Sequence, residues 1–247
     1  MQPPAGTSKE EFLASVRRAL GRSPGPPAEL YPRLKETTED LEAQVRELRA
    51  RLEVDGPQLL DRLARVADMQ GWKVHRAEGP EGVMAEVMAI ADSLNILQAV
   101  RTDQEVFEEI PLDFSAMTQG LKISVAAQNE GFDRGAVRNS IIDAGMGITG
   151  ADYAVAETGS VVVVPRQGLS RLASLVPPIH VAVVRPQDVV ETLDDVFLLR
   201  RLEYHRNGGE MGSYLNFITG PSRTADIEQT LVVGVHGPRE AHMVLLG

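Results

Sequence analysis

The sequence predicts an α/β fold with a mostly parallel sheet flanked by helices. From residue 72 onward, short β-like runs alternate with helical patterns: strands at 72–75 and 96–100 are separated by a helix that begins at Pro80. Such alternation is typical of βαβ units, whose strands run parallel. A hydrophobic content of 43% over 247 residues is sufficient to bury such a sheet. Further strands are predicted at residues 121–126, 153–156, 160–164, 179–184, 213–218 and 243–246.

Residues 1–35 are predicted to form a helical extension of the α/β domain, which spans residues 36–247. Ser8 and Glu11 have the spacing of a capping box, and the apolar residues behind them recur on one helical face. A stretch rich in Pro and Gly follows and is typical of a linker. The apolar face needs a cover, so the helix either docks back on the domain or packs against a partner. Its members are Phe12, Leu13, Val16, Ala19 and Leu20.

Two helices are predicted between the linker and the first strand. Apolar residues at 41–52 follow the 4-3-4 spacing of a helical seam. Asp55-Gly56-Pro57 is expected to interrupt this helix before the periodicity restarts at 59–67. Beyond the second strand, Thr102 and Glu105 have the spacing of another capping box.

The composition excludes several classes of function. Acidic residues outnumber basic ones by 35 to 25, so nucleic acid is a poor partner, because binding to a phosphate backbone needs clustered Lys and Arg. The absence of cysteine excludes disulfides, thiolate nucleophiles, thiolate-ligated iron-sulfur clusters and most structural zinc sites. No apolar run approaches the length of a membrane span and the N-terminus lacks a secretory signal, so we expect a cytoplasmic protein.

Three glycine-rich segments at strand ends are the candidate functional sites, since α/β folds place ligands at the ends of strands. In the first, Glu157, Thr158, Gly159 and Ser160 interrupt two apolar strands. This segment is either a tight hairpin or a cleft rim at which Glu157 accepts a hydrogen bond or a proton.

The second segment, residues 219–228, follows a predicted strand and is expected to open a helix. Free N–H groups at a helix N-terminus, with nearby hydroxyls and a guanidinium, favour a phosphate or carboxylate ligand. The alternative is that Ser222 only caps the helix. The binding residues predicted here are Thr219, Gly220, Pro221, Ser222, Arg223, Thr224 and Asp226.

The third segment, residues 234–238, places His236 and Gly237 in a loop before the final strand. A histidine flanked by glycine can titrate or donate to an oxyanion, although a surface turn is the alternative. His180 is interpreted as a core histidine rather than a ligand. No second histidine stands at the spacing of a zinc protease motif, so no metal site is predicted. Phosphate-loop, dinucleotide and hydrolase motifs are also absent from the sequence.

Four motifs in a fixed order resemble the LUD domain family. They are GITGADYAVAETGSVVVV at 147–164, SLVPPIH at 174–180, TGPSRTADIE at 219–228 and GVHGP at 234–238. The resemblance implies a Rossmann-like sheet between helices, similar to the superfold of CoA transferases and ribose-5-phosphate isomerase. It also implies membership of a bacterial system that oxidises L-lactate to pyruvate with iron-sulfur partner proteins. Since this chain has no cysteine, it would be the component without clusters.

We therefore hypothesise an accessory or ligand-binding component of that system, whose loops hold a small carboxylate or a phosphate-bearing ligand. The cofactor is not predicted beyond the absence of a cluster in this chain. The alternative is an independent enzyme of the CoA transferase-like superfold that acts on an acyl or phosphate ester. In that case Glu157 would be the nucleophile or base and His236 the acid.

Overall fold

The computed structural model describes residues 8–21, 36–110, 112, 120–126, 134–164, 171–209, 212, 214–225 and 231–247. Its helices are α1 Lys9–Ala19, α2 Thr38–Gln70, α3 Gly79–Ser93, α4 Val106–Glu109, α5 Arg134–Ile142 and α6 Leu193–Arg206. Its strands are β1 Lys73–Ala77, β2 Gln98–Arg101, β3 Lys122–Val125, β4 Met146–Gly150, β5 Tyr153–Val155, β6 Ser160–Val163, β7 Ile179–Val184, β8 Val189–Val190, β9 Asn216–Ile218, β10 Arg223–Ala225, β11 Leu231–Val233 and β12 Glu240–Leu246.

The predicted α/β fold is confirmed by a parallel central sheet. Within the described residues it has six strands in the order β1-β12-β7-β4-β2-β3, and each neighbouring pair is parallel. The central strand β7 is buried along its whole length, as expected of a strand covered on both faces. Helices α3 and α4 pack on one face, and α2 packs on the other.

A second, smaller sheet lies on the α2 side of the central sheet. Its strands have the order β8-β5-β6-β9, and the β5–β6 pair is an antiparallel hairpin. One side of this sheet shares a core with α2 and the central sheet, while the other packs against α6. The small sheet is therefore buried between two layers of helices, which explains why Ser160–Val163 is fully buried.

The predicted break in α2 is wrong, because the helix runs without interruption through Gly56 and Pro57. Proline and glycine inside a helix cost about 3 and 1 kcal/mol relative to alanine. Burial on both sides of Gly56 and Pro57 offsets this cost, since Leu48 packs before them and Leu59 and Leu63 pack after them. A capping box of Thr37 and Asp40 begins the helix, and Gly71 ends it in a left-handed conformation.

The capping box predicted for α1 is confirmed at Ser8 and Glu11. The apolar face of α1 is exposed: Phe12 is 58% and Leu20 60% accessible. The linker predicted after α1 lies outside the described residues, and the domain boundary at residue 35 stays a prediction. Among the described helices, none combines the length and the apolar character that a membrane span needs.

Candidate functional site

A cavity with polar walls lies where the chain changes direction in the central sheet. The chain leaving β2 continues to β3 on one side, whereas the chain leaving β4 continues to β7 on the other. These diverging connections open a crevice at the carboxyl edge of the sheet, which is where open α/β sheets bind ligands. A cavity of about 670 Å³ occupies this crevice, between Asp103–Val106 after β2 and Ala151–Tyr153 after β4. We call it the switch-point pocket.

The side chain of Gln104 organises the floor of the switch-point pocket. Its Oε1 atom accepts hydrogen bonds from the Thr102 hydroxyl at 2.6 Å and from the Gly150 N–H at 2.8 Å. Asp152 accepts from the Val164 N–H at 2.6 Å and lies 3.5 Å from Nε2 of Gln104. The capping box predicted for Thr102 and Glu105 is wrong, because Thr102 bonds to Gln104 and Glu105 makes no side-chain cap.

Charged side chains of both signs line the switch-point pocket, and carboxylates predominate among the lining residues that the structure describes. Both arginines are paired: Arg185 holds Asp188 through two hydrogen bonds and contacts Glu109 at 3.0 Å, and Arg200 pairs with Glu203. Burial raises the pKa of Asp188, and the Arg185 guanidinium offsets only part of this effect. The lining carboxylates are Asp103, Glu105, Glu108, Asp152, Asp188 and Glu203.

Tyr153 adds a hydroxyl donor to this wall. Burial raises the pKa of Tyr153, and the nearby Glu203 carboxylate raises it further. The hydroxyl therefore stays protonated at neutral pH. Its hydrogen bond with Arg200 fixes its position. The pocket thus offers several acceptors and a few oriented donors.

The three segments predicted from sequence meet at a different place, the amino edge of the sheet. Oγ of Ser160 lies 2.7 Å from Oγ1 of Thr219 and also accepts a hydrogen bond from Thr158 at 2.9 Å. The N–H of Ser222 donates to the Pro238 carbonyl, and its Oγ accepts from the N–H of His236 at 3.3 Å. The segments therefore touch one another, and we call their contact region the loop cluster.

Glycines let the loop cluster approach the end of α2. Gly159 has a φ of +66°, and a Cβ there would lie 2.7 Å from the backbone nitrogen of Ala67. Gly220 has a φ of +97°, and its Cβ would lie 2.6 Å from the Gln70 carbonyl oxygen. These positions need glycine because of backbone conformation and close approach together. Much of the motif pattern is thus explained by packing.

The helix predicted to open within residues 219–228 is wrong for the part that the structure describes. Arg223–Ala225 forms strand β10, which pairs antiparallel with β11 and includes Thr224. Arg223 Nη2 donates to the Gln70 carbonyl, and Pro221 lies beside Gly71. Asp226 lies outside the described residues. The described residues of this segment therefore do not form the helix N-terminus at which an anion was predicted to bind.

Glu157 and His236 occupy separate local environments. Glu157 is exposed and accepts a hydrogen bond from the N–H of Leu193 at 3.2 Å, at the first turn of α6. His236 is exposed in its loop, and Gly237 packs against Ser222. A catalytic role for either residue stays a prediction. The described residues contain no group of three or more His, Cys, Asp or Glu that could hold a metal ion.

Sequence reasoning missed most of the switch-point pocket. Gln104, Arg185, Asp188 and Arg200 follow no spacing that marks a site, and they converge only through the strand order. Asp152 and Tyr153 fall within the first family motif but carried no predicted role. Knowledge of the strand order would have been needed to recognise that these residues form one pocket.

Comparisons with known proteins agree with the sequence motifs. A model of the LUD domain matches residues 60–246. A protein named Lactate utilization protein C from Exiguobacterium sp. is 31% identical over 100% of this chain and 99% of that protein. One of the same name from Halalkalibacterium halodurans is 42% identical over 42% of this chain, and the match covers 44% of that protein.

The crystal structure of a duf162 family protein from Deinococcus radiodurans shares the fold, with a TM-score of 0.51 and 23% identity over 78% of this chain and 98% of that one. The family match covers the central sheet, the small sheet and both candidate sites. The chain therefore belongs to the LUD domain family.

Proposed function

We propose that this chain is a ligand-binding component of a bacterial lactate utilization system and that its ligand occupies the switch-point pocket. The name of the relative that matches over the full chain supports the first part. The single observation that supports the second is the position of the pocket, at the carboxyl edge between β2 and β4.

The charges of the pocket favour one class of ligand. Among the described lining residues, the two arginines already bind carboxylates of the chain, so a small free anion would meet surplus negative charge there. A ligand that presents hydroxyl or ammonium donors would instead meet acceptors on several sides. We therefore propose a donor-rich small molecule for the switch-point pocket. A carboxylate or phosphate at the loop cluster, near Ser222 and Arg223, stays a separate prediction.

The absence of cysteine fits a component that works beside cluster-bearing proteins. We propose that iron-sulfur proteins of the same system carry the electrons from L-lactate and that this chain binds to them. In this arrangement the chain contributes a bound small molecule or a docking surface, and the redox centres belong to the partners.

Reconstitution tests the role in the pathway. The full chain is mixed with its cluster-bearing partners, and L-lactate-dependent reduction of an electron acceptor is followed with and without it. We expect copurification and a lower rate when the chain is omitted. Failure to copurify together with an unchanged rate would reject the proposed role.

A pair of tyrosine variants tests the site. Tyr153→Phe removes one oriented donor from the pocket, whereas Tyr204→Phe makes the same change at an exposed residue outside it. Loss of one hydrogen bond weakens binding by up to about tenfold. Polyols, amines, CoA thioesters, lactate, pyruvate and inorganic phosphate are screened by thermal shift, since a ligand at 100 times its Kd stabilises by about 2.7 kcal/mol. A ligand that binds both variants equally well does not use the switch-point pocket.

A further inference from the structure

A row of four side chains joins α3 to the edge strand β1 and to its neighbour β12. Glu86 on α3 lies 3.0 Å from Nδ1 of His75, and Nε2 of His75 lies 3.0 Å from Nδ1 of His242. Nε2 of His242 in turn lies 2.9 Å from Oε1 of Glu240. All three separations are hydrogen-bond distances. The two carboxylates therefore enclose two imidazoles in one continuous row.

The two imidazoles meet edge to edge. Their ring centroids are 5.2 Å apart and their planes differ by 19°. The distance between the centroids is about the 3.0 Å between Nε2 of His75 and Nδ1 of His242 plus the distance from each nitrogen to the centre of its own ring. The two nitrogens therefore point at each other. The contact between His75 and His242 is thus an N–H···N hydrogen bond whenever one of the two nitrogens carries a proton.

The row needs more protons than two neutral imidazoles carry. Three hydrogen bonds need three protons, and ionised carboxylates at both ends supply none. Two neutral imidazoles carry only two. With both rings neutral, one junction must therefore bring two lone pairs together. The row is complete only when the histidine pair holds one additional proton.

The surroundings decide where that proton resides. Burial lowers the pKa of His242, which is 4% accessible, although its hydrogen bond to Glu240 opposes this effect. Burial works against ionisation of Glu240, but hydrogen bonds from Lys73 and His242 outweigh it and lower its pKa, so Glu240 remains a carboxylate. The side chain of His75 is 25% exposed and touches the Glu86 carboxylate. His75 is the better place for the charge.

We propose that protonation of His75 closes this row and fixes the tautomer of His242, forming a pH-sensitive latch between α3, β1 and β12. Charged His75 donates from Nδ1 to Glu86 and from Nε2 to Nδ1 of His242. Neutral His242 then donates from Nε2 to Glu240. Loss of the proton from His75 leaves one junction without a hydrogen, so the latch opens as the pH rises.

The charge balance of the cluster agrees with this assignment. Lys73 and protonated His75 supply two positive charges, and Glu86 and Glu240 supply two negative charges. On the other face of the sheet, His180 of β7 is neutral, because burial lowers its pKa to about 3. The cluster has no net charge when the latch is closed and a charge of minus one when it is open.

Nitrogen-15 NMR of the five histidines in the full-length protein tests the latch. We expect charged His75 at low pH, together with a neutral His242 that carries its proton on Nε2 and accepts a hydrogen bond at Nδ1. Exposed His236 is the internal reference. If His242 carries its proton on Nδ1 while His75 is charged, or if His242 rather than His75 takes up the additional proton, the proposal is wrong.

Two matched variants of α3 provide a second measurement. Glu86→Gln removes the charge that faces His75, and we expect the midpoint of the His75 titration to fall. Glu81→Gln makes the same change in the exposed first turn of α3 and should leave that midpoint unchanged. Equal midpoints in the two variants would overturn the assignment of the charge to His75.

Discussion

Oγ1 of Thr149 and Nε2 of His180 lie 3.0 Å apart inside the central sheet. His180 is 1% accessible, and its Nδ1 atom has no hydrogen-bond partner among the described residues. The least costly state is a neutral ring that carries its proton on Nε2 and donates to Thr149, because an unpaired buried N–H costs more than an unpaired lone pair. The expectation of a core histidine agrees with this geometry.

This environment predicts that stability falls in acid. Burial lowers the pKa of His180 to about 3, whereas the unfolded value is near 6.5. The unfolded chain therefore binds the proton more tightly, so the contribution to stability is complete above about pH 6.5 and decreases as the pH falls toward 3. Between pH 7.5 and 5.5 this group alone should reduce the free energy of unfolding by about 1.4 kcal/mol.

Comparison with His180→Gln isolates that contribution from the many other groups that titrate. Denaturant unfolding of both proteins at pH 7.5 and 5.5 gives the difference in stability at each pH. The advantage of the wild-type chain should shrink by about 1.4 kcal/mol at the lower pH. A difference that stays constant with pH would mean that His180 can be protonated in the folded state.

Two Gly→Ala substitutions should have opposite effects. Gly56 lies inside α2, and beyond its chain neighbours and the helix backbone no atom lies within 4 Å of the position that an added methyl group would take. Gly56→Ala should therefore stabilise the chain by up to about 1 kcal/mol, because the gain in helix propensity is opposed only by contact of the methyl group with Pro57. Gly147 lies in β4, where a Cβ would fall 1.8 Å from the Ala173 carbonyl oxygen. Gly147→Ala should therefore cost about 1–3 kcal/mol or more. Denaturant midpoints measure both, and a destabilising Gly56→Ala would contradict the continuous path of α2.

The sequence predicts the α/β class because its apolar runs alternate with helical patterns, yet several elements escape this reasoning, and β4 and α6 show why. Strand β4 is central, but its sequence Met-Gly-Ile-Thr-Gly lacks an apolar run, since Gly147 and Gly150 are needed for close packing. Helix α6 packs on both α2 and the small sheet, so its apolar residues surround the helix and form no single stripe. Tertiary packing decided both cases.

The loop cluster was predictable as a set of segments, but its chemistry was not. Glycine-rich stretches mark unusual backbone conformations, and Gly159 and Gly220 use that freedom to pack on α2. The switch-point pocket depends instead on which strands are neighbours. Parallel strands distant in sequence become neighbours only after folding, so Gln104 and Arg185 could not be placed together from local patterns.

Substitution of Glu157 separates a structural role from a catalytic one. Its carboxylate accepts from the Leu193 N–H at the positive end of α6. Glu157→Gln keeps an acceptor and loses the charge, so a cost of about 0.3–1 kcal/mol is expected. Pathway activity per folded molecule should be unchanged. Activity abolished in a chain of nearly normal stability would instead support Glu157 as a nucleophile or base.

Removal of α1 should leave the stability of the domain unchanged. Phe12 and Leu20 are largely exposed, so the helix adds little burial to the core. A chain that begins at residue 22 should match the full chain within about 0.5 kcal/mol. The fluorescence of Trp72, the sole tryptophan and a core residue, follows unfolding in both proteins.

The same truncation tests whether the exposed face of α1 binds a partner. Phe12→Ser with Leu20→Ser in the full chain removes the two most exposed large side chains of the apolar face and keeps the helix length, so it is the matched control for the deletion. If α1 binds the cluster-bearing proteins, both changes should reduce copurification while the unfolding midpoint stays constant. A lower midpoint in both would show instead that α1 docks on its own domain in solution, because only a helix that buries its apolar face on the domain can contribute to the stability of that domain.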